Sequence, residues 1–149
     1  MNILYTAKIE HNAKENRYFV HFPDLEEAIT EGGSLEEALF NAAEVLTLTL
    51  EGRMDEGMPI PTPSQIKSGY KIAPLARVQA ALLIRFAKGQ HTIAELARTL
   101  ETSWPAAARL ENPHHWPSLK QLEKAAMAMG QRLILSLEEC NAPVRCKET

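Results

Sequence analysis

The hydrophobic positions change rhythm along the chain, and each change marks an element. Ile3, Tyr5, Ala7 and Ile9 alternate with Leu4, Thr6 and Lys8, the period of two of a half-buried strand. HNAKEN follows as a polar turn, and Arg17 to Phe22, rich in aromatic and branched residues, predicts a second strand. Pro23 and Asp24 end it, Ala28 to Thr30 forms a third, short strand, and Gly32 and Gly33 turn the chain. From Ser34 the period lengthens. Leu35, Ala38, Leu39, Ala42, Leu46 and Leu50 fall on one helical stripe, with Glu36, Glu37, Glu44 and Glu51 off or beside it. Ser34 and Glu37 have the spacing of a capping box, in which hydroxyl and carboxylate satisfy free N–H groups of the first turn.

A break follows. Gly57, Pro59, Pro61, Pro63 and Ser64 lie close together, then Gly69 and Pro74. Proline lacks a backbone donor and disfavours helix before it, so the helix cannot run through this stretch. Tyr70 to Ile72 is a short extended segment able to return to the sheet.

Beyond the break the pattern is helical. Leu75 to Ala87 is an apolar helix with Gly89 as its stop, and Thr92 and Glu95 form a second capping box that opens IAELARTL. WPAAARL is a short helix. Ser118 caps LKQLEKAAMAM, and Gly130 ends it. In RLILSLE, Leu133, Leu135 and Leu137 alternate with Ile134 and Ser136. This is a terminal strand, or an extended arm that can pair with a second chain. An edge of alternating leucines needs a partner, so Leu133, Ile134, Leu135 and Leu137 are the dimerisation candidates.

The fold class is therefore α+β: a β-β-β-α-β unit over residues 1–72 that includes the proline-rich linker, an all-α unit over 73–140 ending in a short dimerisation strand, and a flexible tail over 141–149. Charge sharpens the division. Residues 1–72 hold six Lys/Arg against twelve Asp/Glu, net −6, and residues 73–149 hold ten against seven, net +3. Two units of opposite sign imply two kinds of partner. With 149 residues and 23% charged side chains, the chain is globular, and no stretch nears the ~18 apolar residues of a membrane helix. The N-terminus lacks a secretory pattern, so the expected location is cytoplasmic. Cys140 and Cys146 match no usual zinc spacing and are expected to be reduced tail residues.

Two short helices joined by about three residues are the layout of a helix-turn-helix. Residues 93–112 resemble that motif in the Cro/repressor-type family. Leu96 and Ala97 take its large-then-small apolar positions, and Ala107 and Leu110 take those of the second helix. The small residue matters because the second helix crosses close over it. Glu101 stands where the turn usually has Gly, which costs roughly 1 kcal/mol or more if the residue is left-handed, and Thr102 replaces an apolar residue. The resemblance implies that Ser103, Trp104, Pro105, Ala108 and Arg109 face outward. Ser103 and Arg109 can hydrogen-bond base edges, Trp104 and Pro105 can touch thymine methyls, and Thr92 can help hold a phosphate. Such readout is thin, so a dimer on two half-sites is expected. Trp116 is expected to be a packing residue.

The first unit resembles the HicB antitoxin family. The elements that carry the likeness are Phe22-Pro23-Asp24 after a strand, the T-x-G-x-S-x-x-E-A run from Thr30 to Ala38, Asn41-Ala42 in the helix, and the I-P-x-P-S run from Ile60 to Ser64. The likeness implies a partial ribonuclease H-like fold that binds a HicA-type mRNA interferase and covers its catalytic histidine, with operator binding by the second unit. An acidic unit suits such a partner, since it can compete with RNA phosphates for a basic face. Asp24, Glu26, Glu27 and Glu31, at strand ends and loops, are the candidate toxin contacts.

An enzyme is not expected. Ribonuclease H-like chemistry needs clustered carboxylates holding divalent metal. Asp24 is the only aspartate before Asp55, and His11 and His21 have no Cys or Ser nucleophile partner in view. No cofactor is called for. The alternative is a stand-alone helix-turn-helix regulator whose first unit senses a ligand.

Overall fold

The computed structural model describes residues 1–139; the cysteine and tail expectations lie outside the described residues. The chain divides into two compact units, Asn2–Leu75 and Ala76–Leu137.

The first unit contains β1 (Tyr5–Asn12), β2 (Arg17–Phe22), β3 (Leu25–Gly32), α1 (Leu35–Asp55) and β4 (Tyr70–Ile72). They form an antiparallel sheet in the order β3-β2-β1-β4. The period-two pattern holds in part: Tyr5, Ala7, Val20, Phe22 and Ala28 are buried on one face, against Ala38, Leu39, Ala42, Leu46 and Leu50 of α1, but Thr6 between them is also buried, its hydroxyl accepting from Lys71 Nζ at 2.9 Å. Two strands run longer than expected. β1 continues to Asn12, whose Oδ1 then accepts from the N–H groups of Lys14 and Glu15 and forms the turn, with Asn16 left-handed at φ 52. β3 spans eight residues rather than three, because pairing with β2 supports its backbone while Glu26, Glu27 and Glu31 stay on the outside. A register shift at His21/Phe22 accommodates the sharp Pro23-Asp24 turn.

The strand-to-helix corner is set by close packing. A Cβ on Gly32 would meet the Ala38 backbone N at 2.5 Å and its Cα at 2.9 Å. Ser34 then caps α1, its hydroxyl accepting from Glu37 N–H at 3.0 Å, while the Glu37 carboxylate accepts from Gly33 N–H. Of the glutamates placed off or beside the stripe, Glu51 is buried, at 7% exposure.

The second unit contains α2 (Ala76–Lys88), α3 (Ile93–Leu100), α4 (Trp104–Arg109) and α5 (Leu119–Ala128). Ile84, Leu96, Ala97, Ala107, Leu110 and Ala125 form its buried cluster, with Ile93, Leu100 and Leu122 packed against it. Thr92 and Ser118 cap their helices as expected, and Ser103, read from the sequence only as a base contact, caps α4. Residues 131–139 form neither helix nor strand within the chain. The terminal strand expected there therefore pairs with no strand among the described residues, and Ile134, Leu135 and Leu137 are exposed. Trp116 is a correction: at 63% exposure it is a surface residue, held outside the core by the loop between α4 and α5.

Candidate interaction surfaces

The proline-rich segment is stapled to the first unit by three side chains, from α1, β1 and the turn between β2 and β3. Arg53, in the last turn of α1, donates Nη1 to the carbonyl of Pro59 at 3.1 Å. Tyr5, in β1, donates its hydroxyl to the carbonyl of Pro61 at 2.7 Å. The Asp24 carboxylate accepts from the Ser64 hydroxyl at 2.6 Å and from Ser64 N–H at 2.9 Å. Prolines suit this segment because their φ is already restricted and their missing N–H groups need no partner, while their carbonyls remain available.

These contacts change the reading of the four candidate carboxylates. Asp24 is committed to Ser64. Glu27 makes a two-pronged ion pair with Arg53, at 2.7 Å to Nε and 2.8 Å to Nη2. The Arg53 guanidinium holds the Glu27 carboxyl well down, at about 2. Glu31 pairs with Arg17 at 3.1 Å, and its backbone carbonyl accepts from the Asn41 amide at 2.9 Å. Glu26 is exposed without an ion pair among the described residues. Three of the four residues thus have intramolecular work. Burial, and then Asp24, push the Tyr5 hydroxyl up to about 12, so it stays a neutral donor.

The quoted motifs acquire physical content here. Asp24 of F-P-D meets Ser64 of I-P-x-P-S. Gly32 of the T-x-G-x-S run meets Ala38 at its end. Asn41 ties α1 to β3, and Ala42 beside it is fully buried. Arg53 and Tyr5 were missed by sequence reasoning. An arginine near a helix end reads as a solvated charge, and a strand tyrosine reads as core.

In the second unit the five candidate nucleic-acid residues gather at two helix starts and one helix end. Thr92 accepts from Glu95 N–H at 3.1 Å and donates its own N–H to Glu95 Oε1 at 2.8 Å, completing a capping box. Ser103 accepts from Ala106 N–H at 3.2 Å. Both hydroxyls are therefore used as acceptors locally and keep a proton to donate. Trp104, 57% exposed, and Pro105 open α4, and Arg109 ends it on the surface with no ion pair among the described residues. Glu101 is left-handed (φ 55, ψ 47), as the turn demands. Its N–H donates to Arg98 carbonyl at 3.1 Å and that of Thr102 to Ala97 carbonyl at 3.0 Å, the paired closure of a Schellman motif. α5 closes the same way around Gly130, at φ 73.

Among the described residues, no group of three or more His, Cys, Asp and Glu side chains is placed to hold a metal, and no helix is long and apolar enough to cross a membrane. The residues that stand out are arranged on surfaces, on an α+β unit and on a helical one. A family model, that of the HicB-like antitoxins of bacterial toxin–antitoxin systems, matches residues 4–81, just over half the chain, and the chain belongs to that family. Among its relatives, Antitoxin HicB 1 of Photorhabdus laumondii is 31% identical over 138 residues, covering 92% of this chain and 88% of the relative. Antitoxin HicB of Escherichia coli (strain K12) is 32% identical over 126 residues, covering 83% and 91%. Family membership points to a non-catalytic regulator.

Proposed function

We propose that this chain is the antitoxin and autorepressor of a toxin–antitoxin pair. The first unit, a partial ribonuclease H-like module, binds a HicA-type mRNA interferase in the cytoplasm and inhibits it by covering its active surface. The second unit binds operator DNA through α3 and α4 as a helix-turn-helix. The observation that carries the reading is the extent of the likeness: relatives named antitoxin HicB align with 83–92% of the chain, a span that takes in both units.

The geometry supports the DNA arm. Ala97, 6% exposed, lies where α3 and α4 pack, and Ala107 and Leu110 bury the inner side of α4. That leaves Trp104, Pro105 and Arg109 outward, with an unpaired guanidinium suited to a base edge or phosphate. Only one long cationic side chain on so short a helix makes a single copy a weak reader. A homodimer, joined by Leu133, Ile134, Leu135 and Leu137, supplies the second half-site. The exposure of Leu137 at 102%, and of Leu119 and Met127 on α5, supports association through this unit. With two ligands on one dimer, toxin and operator affinities are thermodynamically linked.

The test is co-expression with the small basic protein of the neighbouring reading frame, only this chain being tagged. The expected result is a co-purifying partner that cleaves mRNA when freed and not before. An absent partner with intact operator binding would leave a stand-alone regulator. Arg109→Ala should weaken operator binding by about tenfold or more, the usual value of one good base or phosphate contact, and leave neutralisation intact. Lost neutralisation in that variant would refute the division of labour.

A further inference from the structure

The first unit presents two open faces of different chemistry. One is the side of the sheet away from α1. The register brings Lys8, His21 and Ile29 into one row and Glu10, Phe19 and Glu31 into the next. Ile29 is 63% exposed and Phe19 38%, but the charges around them are of both signs, and Arg17 is paired with Glu31. The other is the outer side of α1. Glu37, Phe40, Glu44 and Leu48 follow spacings of three and four and so lie along one line, with Glu36 beside them. Phe40 is 48% exposed and Leu48 66%. The single cation of this 21-residue helix, Arg53, is turned away onto Glu27. Neither Glu36 nor Glu44 makes an ion pair among the described residues.

Two large apolar side chains on the solvent side of a helix, in a field of one sign, have the composition of a docking surface with a charged frame. We propose that this face of α1, with Phe40 and Leu48 as anchors and Glu36, Glu37 and Glu44 as the frame, docks a basic protein surface. The inference rests on the antitoxin reading, and it moves the main toxin contact from the strand-end carboxylates, of which Asp24, Glu27 and Glu31 are occupied internally, to the helix. Sign decides the occupant. Nucleic acid would be repelled, and a second copy would set glutamate against glutamate. A protein whose own surface is built to hold RNA phosphates carries the complementary charge.

The experiment is titration calorimetry of the full chain with the HicA-type protein of the same operon, its catalytic histidine replaced, at low and high salt. Phe40→Lys combined with Leu48→Lys should weaken binding by about 100-fold or more, the scale of losing central anchors. Glu44→Lys should weaken it about tenfold at low salt, and the difference should shrink at high salt. Leu48→Ser alone, which adds no charge, should cost about fivefold. Phe19→Lys with Ile29→Lys on the sheet face should leave the affinity within about threefold, and circular dichroism should show all variants folded. Wild-type affinity in the α1 double variant, or the large loss appearing in the sheet-face variant, would overturn the assignment. So would a self-association of the wild-type chain abolished by the α1 changes, which would give the face to a second copy. No binding by the wild-type chain would remove the antitoxin reading, and this surface with it.

Discussion

The two units solve the problem of a small core in opposite ways. The first buries large side chains, Tyr5, Phe22, Leu25, Leu46 and Leu50, and then ties its irregular segment down with polar side chains from β1, α1 and the β2–β3 turn. The second matches large to small in its buried cluster, Ile84, Leu96 and Leu110 with Ala97, Ala107 and Ala125, and leaves Trp104, Trp116, Leu119, Met127, Ile134, Leu135 and Leu137 exposed. Apolar burial scales with area at about 25 cal/mol per Å², so alanines contribute little each. The lesson is that Asp24, Glu27, Glu31 and Arg53 of the first unit are spent on its own architecture, whereas the second unit holds much of its apolar surface outside. A search for contact residues by charge alone goes wrong in the first unit for this reason.

The contrast can be broken most severely at Gly32. Gly32→Ala places a methyl about 2.5 Å from backbone, which cannot move without shifting α1. A loss of about 3 kcal/mol or more is expected. Hydrogen exchange should show protection falling across the sheet and α1 while α2 to α5 keep theirs. Uniform loss would show that the two units fold as one.

Next is Tyr5→Phe, which deletes the bond to Pro61 and should cost about 1 kcal/mol at neutral pH. The hydroxyl is pushed up from 10 to about 12 by burial and Asp24. A raised acid of this kind contributes stability fully present below about pH 10 and lost as pH rises towards 12. Wild type should therefore weaken over that window in urea melts, and the phenylalanine variant should lack the step.

In the second unit the comparison is between two helix ends of the same geometry, Glu101 and Gly130. Glu101→Gly should stabilise by about 1 kcal/mol or somewhat less, since glycine tolerates the left-handed region but gains freedom in the unfolded chain. A thermal melt reads this directly. If the substitution destabilises, the glutamate side chain has a role that outweighs its strain.

The smallest effect concerns Glu27. Its carboxyl is lowered to about 2, first by the hydrogen bond from Arg53, so its contribution is present above about pH 4.5 and lost as pH falls towards 2. Its side chain is 44% exposed, and screening limits the effect to about 1 kcal/mol or less. Acid titration of wild type against Glu27→Gln should differ by no more than that. For the same reason, reversing Asp24, Glu26 and Glu27 together is a poor probe of toxin binding. Two of the three changes would strike the fold, and Glu26→Lys alone is the clean variant.

Much of this was legible in the residues. Ser34, Thr92 and Ser118 sit where helices start, and the left-handed Glu101 follows from its place in a turn that usually has Gly. The extent of β3, the burial of Glu51 and the exposure of Trp116 were not. Each depends on what lies opposite, which periodicity does not report. The candidate sites divide in the same way. The helix-turn-helix resemblance placed Arg109 and Trp104 outward on α4, where the structure exposes both, but no local pattern showed that Asp24 and Glu27 were taken.

The sequence by itself determined the order of elements, the helix caps, the two-unit charge division and the family motifs. These are written in spacings of two to four residues, set by backbone geometry and one hydrogen bond. Only the tertiary structure decided which charges are free. Asp24 and Ser64 are 40 residues apart, Glu27 and Arg53 are 26, and Tyr5 and Pro61 are 56. Meetings over such separations are fixed by sheet register and helix packing, whose energies are summed over the whole core and leave no local mark.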